Sequence, residues 1–287
     1  MDKIPYDFVD RVFTKLNNKP VCMWNPPNIE NLHLQAPLWA QVRRIYERKT
    51  EHLSILISLM NDGVDYTIKS EQRACFMTLQ EFIQMDSRFT RIFSLKICAL
   101  SGRASSGQTE AELYKLIGLL SSFNIEGMFV NLEDVELHSS GKKFLDQCVK
   151  CGLRTTYLKL FHHQDAENLF KTLLEDEELQ QLDLRYDWPP EFKRRIEAFV
   201  CRPDFKYLKC NYECLDMDCL KRIIAYWREL DDPWDPAHLQ VKTTLDLRNE
   251  FASWLPSTSA PRRFEEMNGD FRVRVTCYFD YTQFEFF

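Results

Sequence analysis

One spacing pattern constrains this chain more than any other feature: apolar residues recur in the order L-x-x-L-x-L at well-separated places. The copies are Ile92-x-x-Leu95-x-Ile97, Leu132-x-x-Val135-x-Leu137, Thr155-x-x-Leu158-x-Leu160, Leu179-x-x-Leu182-x-Leu184 and Phe205-x-x-Leu208-x-Cys210. Counted at the second apolar position, the middle copies follow one another by 23, 24 and 26 residues. A weaker copy sits at Leu239 to Val241. Between them lie segments with apolar residues at three- and four-residue spacing: Glu112 to Leu120, Phe144 to Cys148, Asn168 to Leu174, Phe192 to Phe199 and Cys219 to Trp227. Strand followed by helix, repeated, predicts stacked units with parallel strands on one side and helices on the other.

The expected fold class is therefore α/β: a small N-terminal helical module over residues 1–50, a hairpin and helix over 51–90 capping the array, an irregular leucine-rich-repeat-like solenoid over 91–250, and a C-terminal strand, cap and tail over 251–287. A plain mixed α/β domain is the competing reading, because the first step, from Leu95 to Val135, is 40 residues and carries an inserted loop around Ser101 to Gly107. Turn chemistry supports the division. Asn61-Asp62-Gly63 between His52 to Ser58 and Val64 to Lys69 predicts a hairpin. Thr109-x-x-Glu112 reads as a capping box, and Pro189-Pro190 after Asp187 opens another helix. Phe271 to Phe279 alternates apolar and polar residues, as a strand does.

With 45% hydrophobic and 28% charged residues over 287 positions, the chain can bury a real core. The net charge is −6, and residues 1–50 hold eight Lys/Arg against five Asp/Glu, so the remainder carries about −9. An acidic body repels phosphate, which argues against a nucleic-acid partner. No stretch approaches the roughly 20 apolar residues that cross a bilayer, and Met1 to Pro5 lacks a secretory apolar run, so no membrane partner and a cytoplasmic or nuclear location are expected. Ten cysteines without a small-scaffold framework read as reduced, mostly buried thiols.

Two motifs invite chemistry. Gly102-Arg-Ala-Ser-Ser-Gly107-Gln108-Thr109 has the context of a phosphate-binding loop, but Gln108 stands where the phosphate lysine belongs, and a Gly/Ser linker ending in a helix cap explains the same letters. Cys148-x-x-Cys151 with His162-His163 offers four zinc ligands, while the helical register makes Phe144, Leu145 and Cys148 one core face. The acidic runs Glu175 to Glu178 and Asp231-Asp232 read as solvated loop charge. No nucleophile with a base and an orienting group stands out. The expectation is a chain with no catalytic residue, metal or cofactor, and not an enzyme.

At the amino terminus, Phe8, Val12 and Leu16 fall at helical spacing with Val9 and Phe13 beside them, behind Ile4-Pro5. Further on come Leu38-Trp39-Ala40-Gln41-Val42-Arg43-Arg44, then Arg48 and the apolar run from His52 to Ile57. Together these segments resemble the opening helix, the W-x-x-V closing helix and the exit strand of nematode-type F-box proteins. The resemblance covers about 50 residues closely and extends loosely over the repeats. The chain departs from the family at residues 17–37, where Asn17, Asn18, Pro20, Pro26, Pro27 and Pro37 stand in place of a second helix. The resemblance implies that Ile4, Pro5, Phe8, Val12, Phe13, Leu16 and Trp39 contact a Skp-type adaptor and through it a cullin. The downstream repeats would then hold a protein substrate for ubiquitination, a toxic or foreign protein among the candidates, in an otherwise monomeric chain.

Strand alternation supplies the substrate side. Residues beside the buried leucines point outward together: Asp134, Glu136 and His138; Tyr157, Lys159 and Phe161; Gln181, Asp183 and Arg185; Tyr207, Lys209 and Asn211. Of these, Asp134, Glu136, Tyr157, Lys159, Phe161, Asp183, Arg185, Tyr207 and Lys209 are the expected substrate contacts, since aromatic and charged anchors dominate protein interfaces. A stand-alone repeat protein that binds or inhibits a protein target without a ligase is the alternative.

Overall fold

The computed structural model describes residues 37–100, 109–132, 137–229, 237–242, 263–268, 271–277 and 281–286. The chain divides into two compact units, residues 1–157 with 163–178, and residues 158–162 with 179–287.

In the first unit, helix α1 (Pro37–Lys49) buries Val42 and Tyr46, one turn apart, and leads into strand β1 (Glu51–Leu59). Leu53, Ile55, Ile57 and Leu59 of β1 are buried on one face. The Asn61-Asp62-Gly63 turn returns the chain as β2 (Val64–Ser70), antiparallel to β1 from Leu59↔Val64 to Leu53↔Ser70. Strand β3 (Cys75–Met77) adds to β2 antiparallel. A short helix, α2 (Leu79–Ile83), follows behind a Thr78 capping box. Strand β4 (Thr90–Ala99) pairs parallel with β1, and β5 (Asn124–Asn131) pairs parallel with β4. The strand order is thus β3-β2-β1-β4-β5.

Between β4 and β5, helix α3 (Glu110–Leu120) starts on a capping box: the Thr109 hydroxyl accepts from the Glu112 amide at 3.2 Å, and Glu112 Oε2 accepts from the Thr109 amide at 2.9 Å. Its buried stripe is Leu113, Leu116, Ile117 and Leu120. Helix α4 (Ser139–Cys151) buries Phe144, Leu145 and Cys148 and stops at Gly152, whose φ of 63° is the left-handed cap that glycine adopts without a Cβ clash. Strand β6 (Arg154–Phe161) follows, its residues up to Tyr157 in this unit and Leu158 onward in the second, and then helix α5 (Glu167–Glu175), with Leu169, Phe170, Leu173 and Leu174 buried.

The second unit contains β7 (Gln181–Arg185), helix α6 (Lys193–Val200), β8 (Tyr207–Asn211), helix α7 (Met217–Arg228) and β9 (Ala237–Lys242). It closes with β10 (Arg263–Asn268), β11 (Phe271–Cys277) and β12 (Tyr281–Phe286). The order is β7-β8-β9-β12-β11-β10, with β7, β8 and β9 parallel and the last three strands antiparallel. Its core is aromatic. Phe205 packs edge-on against Phe199 at 5.5 Å between ring centroids, and Trp227 stacks on Phe286 at 5.1 Å. The Trp227 indole nitrogen donates to the Val200 carbonyl at 3.0 Å, which satisfies its one polar atom inside the core.

Helix α7 begins at Asp216, whose Oδ1 accepts from the Cys219 amide at 2.9 Å while Oδ2 accepts from Lys193 Nζ at 2.8 Å. The lysine bond, ahead of the amide bond, holds the Asp216 carboxyl down at about 2. Asp216→Ala is expected to lower stability by about 1 kcal/mol at neutral pH, a typical value for a lost N-cap, as read from the urea midpoint. Because the folded pKa lies below the unfolded value of about 3.9, the contribution is present above that pH and lost as pH falls toward 2. Wild type and variant should therefore converge in acid.

The expected helical module followed by a leucine-rich-repeat-like solenoid is not what forms. The structure is an α/β arrangement of mostly parallel strands with helices between them. Strands β1, β4, β5 and β6 run 9, 10, 8 and 8 residues, and antiparallel strands flank the parallel ones within each unit, β2 with β3 in the first and β10 to β12 in the second. The pattern failed where apolar residues after a strand imitate the strand itself: the copy at Leu132 to Leu137 begins where β5 has already ended at Asn131. Strand β1, read as half of a capping hairpin, is an interior strand between β2 and β4.

Among the described residues, no helix is long and apolar enough to cross a membrane.

Candidate functional site

Strand alternation gives each unit a sheet face made of the residues between its buried ones. In the first unit, His52, Ser54 and Leu56 alternate with buried Leu53, Ile55 and Ile57. Pairing with β4 steps from Leu53↔Ile92 to Ser54↔Ser94, so Phe93 is the extra residue of a β-bulge and stands 40% exposed. Beyond the bulge, Leu56 lies beside Lys96, and Lys96 beside Phe129. The Lys96 ammonium is 6.0 Å from the Phe129 ring centre, and Phe129 meets Tyr157 edge-on at 5.6 Å.

Two opposite charges are sunk into this face: Arg91 Nη1 lies 3.4 Å from Glu126 Oε1, with both side chains about nine-tenths buried. Burial holds the Arg91 guanidinium below its ordinary range against the pull of Glu126, and raises the Glu126 carboxyl against the pull of Arg91. In both groups desolvation outweighs the partner's attraction. His52 is lowered by burial and then by Arg91, so it favours the neutral imidazole.

The second unit carries a more polar face. Leu208 and Cys210 of β8 are buried, while Tyr207, Lys209 and Asn211 between them are half-buried. Register aligns Gln181, Tyr207, His238 and Glu285 in one row, and Asp183, Lys209, Gln240 and Gln283 in the next. Lys242 sits beside Asn211. Asp183 accepts from Arg185 Nη2 at 2.8 Å, and Glu285 accepts from Arg274 Nη1 at 3.1 Å. The Tyr207 hydroxyl is 3.4 Å from Gln240 Oε1, and burial, with Asp183 second, pushes the phenol up to about 12. Phe161 meets Tyr186 edge-on at 5.8 Å, and Lys159 Nζ lies 5.6 Å from the Phe161 ring centre. Tyr186 is 53% exposed with φ at +64°, a left-handed turn that presents its ring outward.

Of the sequence-expected substrate contacts, Lys159, Phe161, Asp183, Arg185, Tyr207 and Lys209 belong to the second unit and Tyr157 to the first, whereas Asp134 and Glu136 lie outside the described residues. Asp183 is more buried than expected, only 5% exposed. Sequence reasoning missed Phe129, because β5 was placed too late along the chain, and Phe93, because a bulge leaves no mark in simple alternation; Lys96, between the buried Leu95 and Ile97 of β4, was passed over although alternation points it outward. It also missed Lys242, whose strand carried only a faint pattern. The expected adaptor contacts Ile4, Pro5, Phe8, Val12, Phe13 and Leu16 lie outside the described residues, and Trp39 lies in α1.

The Gly102-to-Gln108 loop also lies outside the described residues, while Thr109 is the α3 cap. Cys148 is a buried residue of α4, its thiol raised by burial, and Cys151 Sγ accepts from Gln147 Nε2 at 3.2 Å. His163 Nδ1 accepts from the Asp165 amide at 3.2 Å, capping a short 3-10 turn. Among the described residues, no group of three or more His, Cys, Asp or Glu side chains is placed to hold a metal ion.

No family model matches the chain, and no curated protein matches it. Among solved structures it is similar to the pyridoxal kinase from Staphylococcus aureus in complex with pyridoxal, at 13% identity and a TM-score of 0.23, over 63% of this chain and 71% of that one. The expectation that the chain is not an enzyme is withdrawn, and a likeness this slight assigns neither an activity nor a family to the chain.

Proposed function

We propose that this chain is the substrate-recognition subunit of a Skp–cullin–F-box ubiquitin ligase, acting in the cytoplasm or nucleus. The amino-terminal segment docks on the Skp-type adaptor, and the sheet faces hold a protein for ubiquitination. The observation that carries this reading is the order of parts. The Ile4-Pro5 segment with its Phe8, Val12 and Leu16 stripe comes first, then α1 with Trp39 and Val42, and α1 runs directly into β1 of the first unit, whose sheet bears Phe93 and Lys96, while the second unit bears Tyr186 and Lys209 outside its own core. An amphipathic helix in a partner's groove is an ordinary recognition mode, and aromatic and cationic side chains on a rigid sheet are the usual anchors of a protein interface. Function then follows from proximity. A substrate held beside a charged ubiquitin carrier meets it at a high effective concentration instead of by chance encounter.

The test is a pull-down from cell extract with wild-type protein and with Phe8→Ala/Val12→Ala/Leu16→Ala, probing for the Skp-type adaptor and cullin, with circular dichroism as the folding control. Adaptor is expected with wild type and at least tenfold less with the folded variant. Adaptor missing from both sinks the ligase reading and favours the stand-alone binder, for which the prolines of residues 17–37 already speak.

A further inference from the structure

We infer that the sheet face of the second unit is a docking site for an extended acidic segment of a partner protein, one in which carboxylates alternate with apolar or aromatic residues. The inference deepens the reading of the chain as a protein receptor and rests on its partner being a protein. Its first support is charge. The chain as a whole carries −6, yet of the carboxylates at this face Asp183 and Glu285 are each taken up by an arginine of the same face, and Asp187 accepts from Asn211 Nδ2 at 2.8 Å. Lys159, Lys209 and Lys242 are left over, and among the described residues none of them has a carboxylate within ion-pair distance. A locally basic surface on an acidic body is complementary to an acidic partner and steers it to that surface.

Spacing supports an extended ligand. Neighbouring strands lie about 4.8 Å apart and alternate residues of a strand about 6.6 Å apart, which sets Lys209 and Lys242, one strand and two residues apart in register, at about 8 Å. Alternate side chains of an extended peptide repeat at about 7 Å, so two carboxylates can meet the two lysines while the residues between them lie against the apolar groups of the face. Tyr186, with Phe161 behind it, offers such a ring at 53% exposure.

The floor of the face has unmet polar demand of the matching kind. Among the described residues, Gln181 Oε1 and Asp183 Oδ1 meet no donor and Arg185 Nε meets no acceptor, although Gln181 and Asp183 are only 2% and 5% exposed. An extended peptide brings main-chain N–H donors together with carboxylate acceptors. Nucleic acid fits less well, because a phosphate backbone would cross Asp183 and Glu285 and face the net negative body.

The test measures fluorescence anisotropy of a short labelled peptide alternating glutamate with phenylalanine and tyrosine, against the full chain. A lysine-for-glutamate peptide and an oligothymidylate of equal charge serve as competitors. Wild type is expected to bind the acidic peptide at least tenfold tighter than its lysine counterpart, and more weakly as salt rises. Lys209→Glu/Lys242→Glu should lose at least tenfold, and Lys209→Gln/Lys242→Gln at least threefold, the second variant deciding if the first fails to fold. Equal binding of the two peptides, or unchanged affinity in a folded variant, overturns the inference, and tighter binding of the oligonucleotide reassigns the face to nucleic acid. The adaptor pull-down repeated on Lys209→Glu/Lys242→Glu separates the two readings. Adaptor bound without a peptide preference sinks this inference alone, and peptide bound without adaptor sinks the ligase reading alone.

Discussion

Trp227→Ala is expected to destabilise the chain by about 3–5 kcal/mol, the range for removing a large buried aromatic side chain, and to shift the urea midpoint far enough to leave the second unit marginal. Trp227 is 1% exposed, stacks on Phe286 of the last strand and meets Phe205 edge-on at 6.1 Å. One side chain therefore ties helix α7 to the segment before β8 and to β12, and alanine would leave a cavity among three elements that cannot collapse together. The variant also strands the Val200 carbonyl, which accepts the indole N–H at 3.0 Å. Trp227→Phe keeps most of the volume and should recover more than half of the loss. A cost below about 1 kcal/mol for the alanine variant would mean that this aromatic cluster does not hold the unit together.

Glu126→Ala should cost about 3–5 kcal/mol at neutral pH, because it leaves the Arg91 guanidinium charged, mostly buried and without its carboxylate. The pair itself is a poor source of stability, since burial outweighs attraction in both members. Replacing both, as Arg91→Leu/Glu126→Leu, should therefore be cheaper than removing Glu126 alone. The sign with pH follows from the raised Glu126 carboxyl: burial favours its neutral form, so this term supports the fold at low pH and is lost as pH rises through the folded pKa. A double-mutant cycle by urea denaturation at pH 7 settles the ordering. Should the double variant prove worse than Glu126→Ala, the pair would be a net support and the burial argument would fail.

Much of this architecture is legible in the sequence because its signals are local. The Asn61-Asp62-Gly63 turn, the Thr109 cap and the alternations of β6 and β8 each act within a few residues, and each is found in the structure. What the spacing could not reveal is how strands are joined into sheets. Antiparallel strands β2, β3 and β10 to β12 carry the same alternating letters as parallel ones, and pairing direction is decided by neighbours far along the chain. The face residues were readable wherever a strand was placed correctly, as with Tyr207 and Lys209. They were lost where it was shifted by a few positions, as with Phe129, or broken by a bulge, as with Phe93. The ion pair of Arg91 and Glu126 joins residues 35 apart in sequence, and only the parallel pairing of β4 with β5 brings them together.

The alternation along β8 has a consequence for how such a chain can diversify. Leu208 and Cys210 maintain the fold while Tyr207, Lys209 and Asn211 face away from that core, so neighbouring codons answer to different selective demands. Changes at every second position can rewrite what the face recognises at little cost in stability, and changes at the positions between them are purged. A lineage of duplicated copies could thus drift rapidly in partner while keeping one scaffold, and its sequences would record this as a two-residue rhythm of variable and invariant sites along each strand.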